Sequence, residues 1–180
     1  MASVARAIEL IAAVEAMTGL EPDRDAVVAE LADVLERWGE TVDGSFVREA
    51  VHVIATIREL ARIVDVHDTD AAAAMANAWL ERAAVAPTLV HEPGWGWHLH
   101  VVRPDADWST WLLASSSLGF ALVLTEYGEV RWGRCAAAGC DRPFFDRGRR
   151  DRQRFCSAAC ATRERVRRHR RTASQADQAT

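Results

Sequence analysis

The sequence predicts a mainly α protein: a helical body carrying one β-hairpin, followed by a small metal-stapled module that ends in a basic helix. Three observations predict it. Apolar residues recur at steps of three and four along most of the first 80 positions. The period changes to two over a short stretch near residues 86–103. All four cysteines fall late in the chain, directly before a run of arginine.

The first helix follows from Val4, Ile8, Ile11, Val14 and Met17. The second has Val27, Val28, Leu31, Val34, Leu35 and Trp38 behind a cap expected at Asp25. A longer helix is expected after "DGS", capped by Ser45, with Val47, Val51, Ile54, Ala61 and Val64 inward and Arg48, Glu49, Glu59 and Arg62 mostly outward. The next starts near Asp68 or Thr69 and runs through alanine-rich sequence to Trp79 and Leu80, where small side chains admit a close neighbour.

"APTLVHEPGWGWHLHVV" then reads as two strands joined by a longer turn at Pro93, Gly94 and Gly96. On the second strand Trp97, Leu99 and Val101 share one face, and His98 and His100 share the other, expected to meet solvent. Asp105 or Asp107 caps the following stretch, "WSTWLLASSSLGFALVLT", and Gly128 stops it. Its length approaches a membrane span, but Ser115, Ser116, Ser117 and two threonines favour a buried core helix, and no membrane partner is expected.

The chain has 180 residues and a net charge of -4, which hides a strong asymmetry. From residue 131 onward there are fourteen Arg against five Asp or Glu, a balance of +9, and residues 1–130 hold eight Arg against twenty-one acids, or -13. The shift marks the expected boundary: a body over 1–128, a module over 129–172 and a disordered tail over 173–180. The opening helix is broken by Arg6, Glu9 and Glu15 before an apolar run reaches signal length, so a cytoplasmic, reducing setting is expected.

The cysteines stand as Cys135-x4-Cys140-x15-Cys156-x3-Cys160. Two short spacings across a loop form a metal-ligand pattern, and four soft thiolates close a tetrahedral site for one structural Zn²⁺ with no open position. Two disulfides or four unrelated thiols are the alternatives, and a reducing setting counts against the first. Pro143, Phe144 and Phe145 suggest a short strand leaving a metal knuckle, and Ser157 can cap a helix with Cys160 in its first turn. This order of knuckle, hairpin and helix resembles a treble-clef zinc module.

Three stretches, "RCAAAGCDRPFFD", "RRDRQRFCS" and "CATRERVRRHRR", resemble the CGNR zinc finger family. In that family a helical ABATE domain precedes a C-terminal zinc module, and the resemblance implies a stress-responsive transcription regulator. The signature tetrapeptide is represented by Cys160, Ala161, Thr162 and Arg163, so its Gly and Asn are replaced, and the last two cysteines stand one residue closer than in the common form.

On a helical wheel Cys156, Cys160, Arg163 and Arg167 share the metal side, and Ala159, Thr162, Val166, His169 and Ala173 form a weak apolar stripe. Arg165 and Arg168 point away from both. With Arg171 and the loop residues Arg147, Arg149, Arg150 and Arg152 they are the candidates for phosphate contact, each guanidinium being able to fork onto phosphate oxygens. Arg163 suits either a hydrogen bond to the knuckle or a phosphate. DNA is the expected partner. A solvated helix, docking on the acidic body or on a second copy, and an adaptor binding acidic proteins are the alternatives. A weaker reading places a second metal, and with it an enzyme, at His91, Glu92, His98 and His100. No nucleophile with a placed base is readable, so no enzyme is expected.

Overall fold

A computed structural model describes residues 2–17, 23–94, 96–148 and 152–178, with backbone alone from 173 onward. The helices are α1 (Ala2–Met17), α2 (Arg24–Arg37), α3 (Gly44–Ala61), α4 (Thr69–Ala83), α5 (Trp108–Tyr127) and α6 (Ala158–Gln178). Two antiparallel hairpins lie between them, β1 (Thr88–Glu92) with β2 (Gly96–His100), and β3 (Trp132–Arg134) with β4 (Pro143–Phe145). The fold is thus mainly α with a small cysteine-rich module. Helix α6 runs on to Gln178, past the boundary that the charge pattern sets at 172.

Aspartates start four of the helices, each accepting a backbone N–H that the helix itself leaves unpaired. Asp68 accepts from Ala71 at 2.8 Å and Asp107 from Thr110 at 2.7 Å. Two expected caps are displaced by two residues: Asp23 rather than Asp25 caps α2, and Asp43 rather than Ser45 caps α3. In both, the expected capping residue sits in the first turn and donates its own N–H to the true cap.

Helix α5 passes every length and composition test for a membrane span. In this fold it is the central helix of the body, packed by α1, α3 and α4 with Leu112, Phe120 and Val123 fully enclosed. Its crossing with α1 is close enough that a Cβ on Gly119 would lie 2.9 Å from the Ser3 Cβ and 3.0 Å from the Val4 nitrogen. Arg6 of α1 is buried against the same helix. Its guanidinium donates to Glu40 and to the Ser115 hydroxyl and lies 4.3 Å from the centre of the Trp111 ring.

Two apolar faces differ from expectation, although Val64 is buried and Ile54 and Ala61 pack on the core as expected. In α3 the inward residues are Phe46, Ala50, Val53, Ile57 and Leu60, and Val47 and Val51 are exposed. Both rows have helical period, but Phe46 brings the largest apolar surface and packs edge-on against Trp108. In the first hairpin Trp97 is 69% exposed, with Leu89 and Leu99 beside it, and His98 and His100 are half-buried. A five-residue strand paired to one neighbour has no second layer of its own, so alternation alone does not select the inward face.

The second hairpin does not stand apart from the body. Val130, Trp132 and Phe145 belong to the main hydrophobic cluster. Trp132 packs edge-on against Phe120 with ring centroids 4.8 Å apart and donates its indole N–H to the Ile63 carbonyl at 2.8 Å. Arg134 then reaches two carboxylates of the body: Nη1 and Nη2 donate to Glu15 at 3.0 and 2.9 Å, and Nε and Nη2 to Asp65 at 2.6 and 3.1 Å. The charge boundary near residue 130 is therefore not a packing boundary, and a body cut at 128 would lose part of its core. Trp132→Ala should destabilise the whole chain by about 3–5 kcal/mol. Urea unfolding followed by helical circular dichroism would show it as a lower midpoint.

Hydrogen bonds from Arg134 hold the Asp65 carboxyl below its usual range. A carboxylate with a depressed native pKa stabilises the fold above its unfolded value, about pH 4, and that contribution is lost as pH falls through the native value. The melting temperature of Asp65→Asn should therefore approach that of the parent chain below about pH 3 and lie beneath it above about pH 5. Parallel thermal melts across that range would check it.

Candidate metal centre

The four cysteine sulfurs converge from three places in the module. Cys135 follows β3 directly, so the docking of Trp132 and Arg134 sets its position. Its N–H donates to the Arg142 carbonyl at 3.0 Å, which closes the base of a knuckle. Gly139, at φ 72°, turns the chain so that the Cys140 N–H reaches back to Ala137 at 3.0 Å. Cys156 arrives on the returning loop, where its N–H points at the Cys135 sulfur at 3.3 Å and the Ala136 N–H holds the Arg154 carbonyl at 2.9 Å. Cys160 is the third residue of α6, and the Ser157 hydroxyl accepts its N–H at 3.2 Å.

The sulfurs lie within 4.8 Å of one another, with Cys140–Cys156 at 3.8 Å and Cys156–Cys160 at 3.7 Å. A tetrahedral ion with Zn–S bonds of about 2.3 Å places its sulfurs about 3.8 Å apart. A disulfide needs about 2.05 Å, and all four thiols are unbridged. Cys135 and Cys160 are buried and the other two partly so, with Phe155 and Ala137 packed around them. So few apolar residues cannot hold the knuckle and α6 together, whereas structural zinc contributes on the order of 10 kcal/mol or more.

Without an ion, Cys156 and Cys160 are pushed in opposite directions. Burial, followed by hydrogen bonds to the neighbouring sulfurs, pushes Cys156 up to about 12, and the Ser157 hydroxyl pulls Cys160 down to about 7. A divalent ion resolves this by holding all four as thiolates. The resulting excess of negative charge meets Arg163, whose Nη2 donates to the Cys160 sulfur at 3.2 Å. Arg163 therefore contacts the ligand set itself rather than a knuckle carbonyl.

The candidate phosphate ligands separate into groups. Arg165, Arg168 and Arg171 are exposed on α6, Arg165 also reaching Thr162 at 3.3 Å. Arg147 is exposed above the Phe145 ring. Arg152 is engaged inside the chain: Nη2 donates to the Val130 carbonyl and Nη1 lies 3.9 Å from Glu129. Arg149 and Arg150 lie outside the described residues. The expected apolar stripe of α6 covers nothing, because Ala159, Thr162, Val166 and His169 are all exposed and Cys160 is the one buried residue from 158 to 172.

Sequence reasoning missed the residues that hold the arginine loop. Asp146, at the end of β4, is 3% exposed, accepts from the Gly148 and Gln153 N–H groups at 2.8 and 3.1 Å and pairs with buried Arg131 at 3.1 Å. The available signal was an aspartate directly after the apolar "PFF", a position suited to accepting loop N–H groups.

Residues 131–173 match the family model of the CGNR zinc finger, and the four cysteines within that span have the arrangement of a zinc-binding module. No curated protein matches the chain. Purified protein should carry one zinc per chain, and Cys140→Ser should lose it together with helical signal from α6. Elemental analysis paired with circular dichroism would check both, and zinc retained in the variant would reassign the ligand set.

Proposed function

We propose that this chain, with its CGNR zinc finger, is a DNA-binding transcription regulator in which zinc is structural, α6 is the element laid against DNA, and the helical body senses a signal or assembles the protein. The supporting observation is the exposure of α6. The helix is 21 residues long, about 30 Å, and beyond Cys160 it buries no side chain up to residue 172. A lone helix of this composition gains little from propensity alone, and a polyanion supplies the missing partner.

The arginines divide this work. Arg131, Arg134 and Arg152 neutralise acids or carbonyls within the chain, so among the described residues of the module the basic field facing outward comes from α6 together with Arg142, Arg147 and Arg154. Arg165 and Arg168 lie on one edge of the helix, and their planar guanidinium groups suit phosphate. Such pairings supply affinity and register, not base reading. The stress-responsive role belongs to the same reading and rests on the family resemblance.

A second reading, an adaptor that binds proteins through the body, is favoured by one observation. Leu89, Trp97 and Leu99 form an exposed apolar face on the first hairpin. Competition separates the two readings, since unrelated duplex DNA displaces a phosphate-bound target and leaves a protein partner in place.

Arg165→Ala with Arg168→Ala should weaken DNA binding with little change in sequence preference. The log-log salt slope falls by about 0.9 for every phosphate that the protein no longer neutralises, so the double substitution should reduce it by ~1.8. Fluorescence anisotropy at several salt concentrations measures the slope, and zinc content should be unchanged. An unaltered affinity and slope would return these residues to a solvated face.

A further inference from the structure

The half-buried face of the first hairpin gathers three side chains of metal-ligating type, in a group separate from the cysteines. His98 and His100 stand two apart on β2, and Glu92 closes β1 opposite Gly96, so all three rise from the same side of the pair. The two Nε2 atoms are 2.9 Å apart, and each lies 3.6 Å from a different oxygen of Glu92.

As a hydrogen-bonded group this arrangement is incomplete. Two neutral imidazoles at 2.9 Å share one N–H···N bond, and both carboxylate separations exceed hydrogen-bond reach. The three ligand atoms lie within 4.8 Å of one another, and neither imidazole hydrogen-bonds the carboxylate. An ion with nitrogen and oxygen ligands at about 2.0–2.1 Å separates neighbouring tetrahedral ligands by about 3.3 Å, between the two distances seen. The orientation of His98 is also set from behind. Its Nδ1 lies 3.1 Å from the Gly96 carbonyl, which requires a proton on Nδ1 and leaves the lone pair on Nε2, the atom near His100 and Glu92.

We infer that Glu92, His98 and His100 form a second metal site, for an exchangeable divalent ion of the zinc class. Two imidazoles and one carboxylate suit a borderline transition ion rather than Ca²⁺ or Mg²⁺. Three ligands leave a coordination position open, whereas the four cysteines close theirs. The side chains are 31%, 38% and 46% exposed for His98, His100 and Glu92, so an ion can enter and leave without unfolding the chain. On its inner side His100 lines a cavity of ≈ 280 Å³ whose walls include Glu40, Glu49 and Trp108. Glu40 is the partner of buried Arg6, so charge placed at the hairpin lies close to the contact between α1 and α5. This inference is independent of DNA binding by α6.

The test uses the full chain with zinc already in the four-cysteine site, verified by elemental analysis. Isothermal titration with Zn²⁺ should reveal one further equivalent. His98→Ala with His100→Ala should abolish it, and the near-isosteric Glu92→Gln should weaken it at least about tenfold. Both variants should keep the first zinc and the parent circular dichroism. Cobalt added to the zinc-loaded protein should give weak d–d bands without thiolate charge transfer. No second equivalent, or one of unchanged affinity in Glu92→Gln, would overturn the assignment, and charge-transfer bands would place the second ion among the cysteines instead.

Discussion

One guanidinium determines where the zinc knuckle stands. Arg134 lies between the carboxylates of Glu15 and Asp65, and the next residue is the first metal ligand. Two planar, charge-assisted contacts fix an orientation as well as a distance. The carboxylates hold Arg134 charged, above its ordinary range, despite partial burial. Trp132 supplies the apolar half of the same anchor. From this pair the position of Cys135 follows, then the sulfur cluster, and then the direction in which α6 leaves the molecule.

The unequal charge of the two halves acquires a structural meaning from that anchor. Part of the module's basic excess is neutralised internally: Arg134 by the body, Arg131 by Asp146 and Glu129, and Arg152 by Glu129 and a carbonyl. The acidic body is therefore not held by the basic helix, as simple attraction of opposite charges would suggest. It is reached by Arg134 on the second hairpin, and the edge of α6 carrying Arg165 and Arg168 stays exposed.

Legibility in the sequence followed the range of the interaction. The cysteine spacing was readable because a metal demands four ligands of one type at short separations, and little else produces that pattern. The existence of the first helices was readable from period, and the core position of α5 from the serines and threonines that interrupt its span-like composition. Cap positions slipped because aspartates and serines cluster before α2 and α3, and only backbone geometry selects among them. The face of α3 and the face of the first hairpin involve partners distant in sequence, Trp108 for Phe46 and the cavity wall of Glu40 and Trp108 for His100. Asp146 and Arg134 escaped for the same reason: each is an ordinary charged residue until the elements around it are assembled. The three-donor cluster on the hairpin was visible as a pair of histidines two apart, but its convergence with Glu92 depended on which way the strand faced.

The long reach of the Arg134 anchor also orders the birth of the molecule. Glu15 and Arg134 are 119 positions apart, and Trp132 meets Ile63 across 69. A chain emerging from the ribosome N-terminus first can pair α1 with α2 and α3 early, since those contacts are local. The surface of α1 that receives α5 and β4 must wait for residues 108–127 and 143–145 to be synthesised. During that interval Val4, Ile8 and Ile11, nearly or wholly enclosed in the finished fold, lack part of their cover. The last of that cover, β4, lies within the segment that carries the metal ligands, so the enclosure of α1 and the gathering of the cysteines depend on the same stretch of chain.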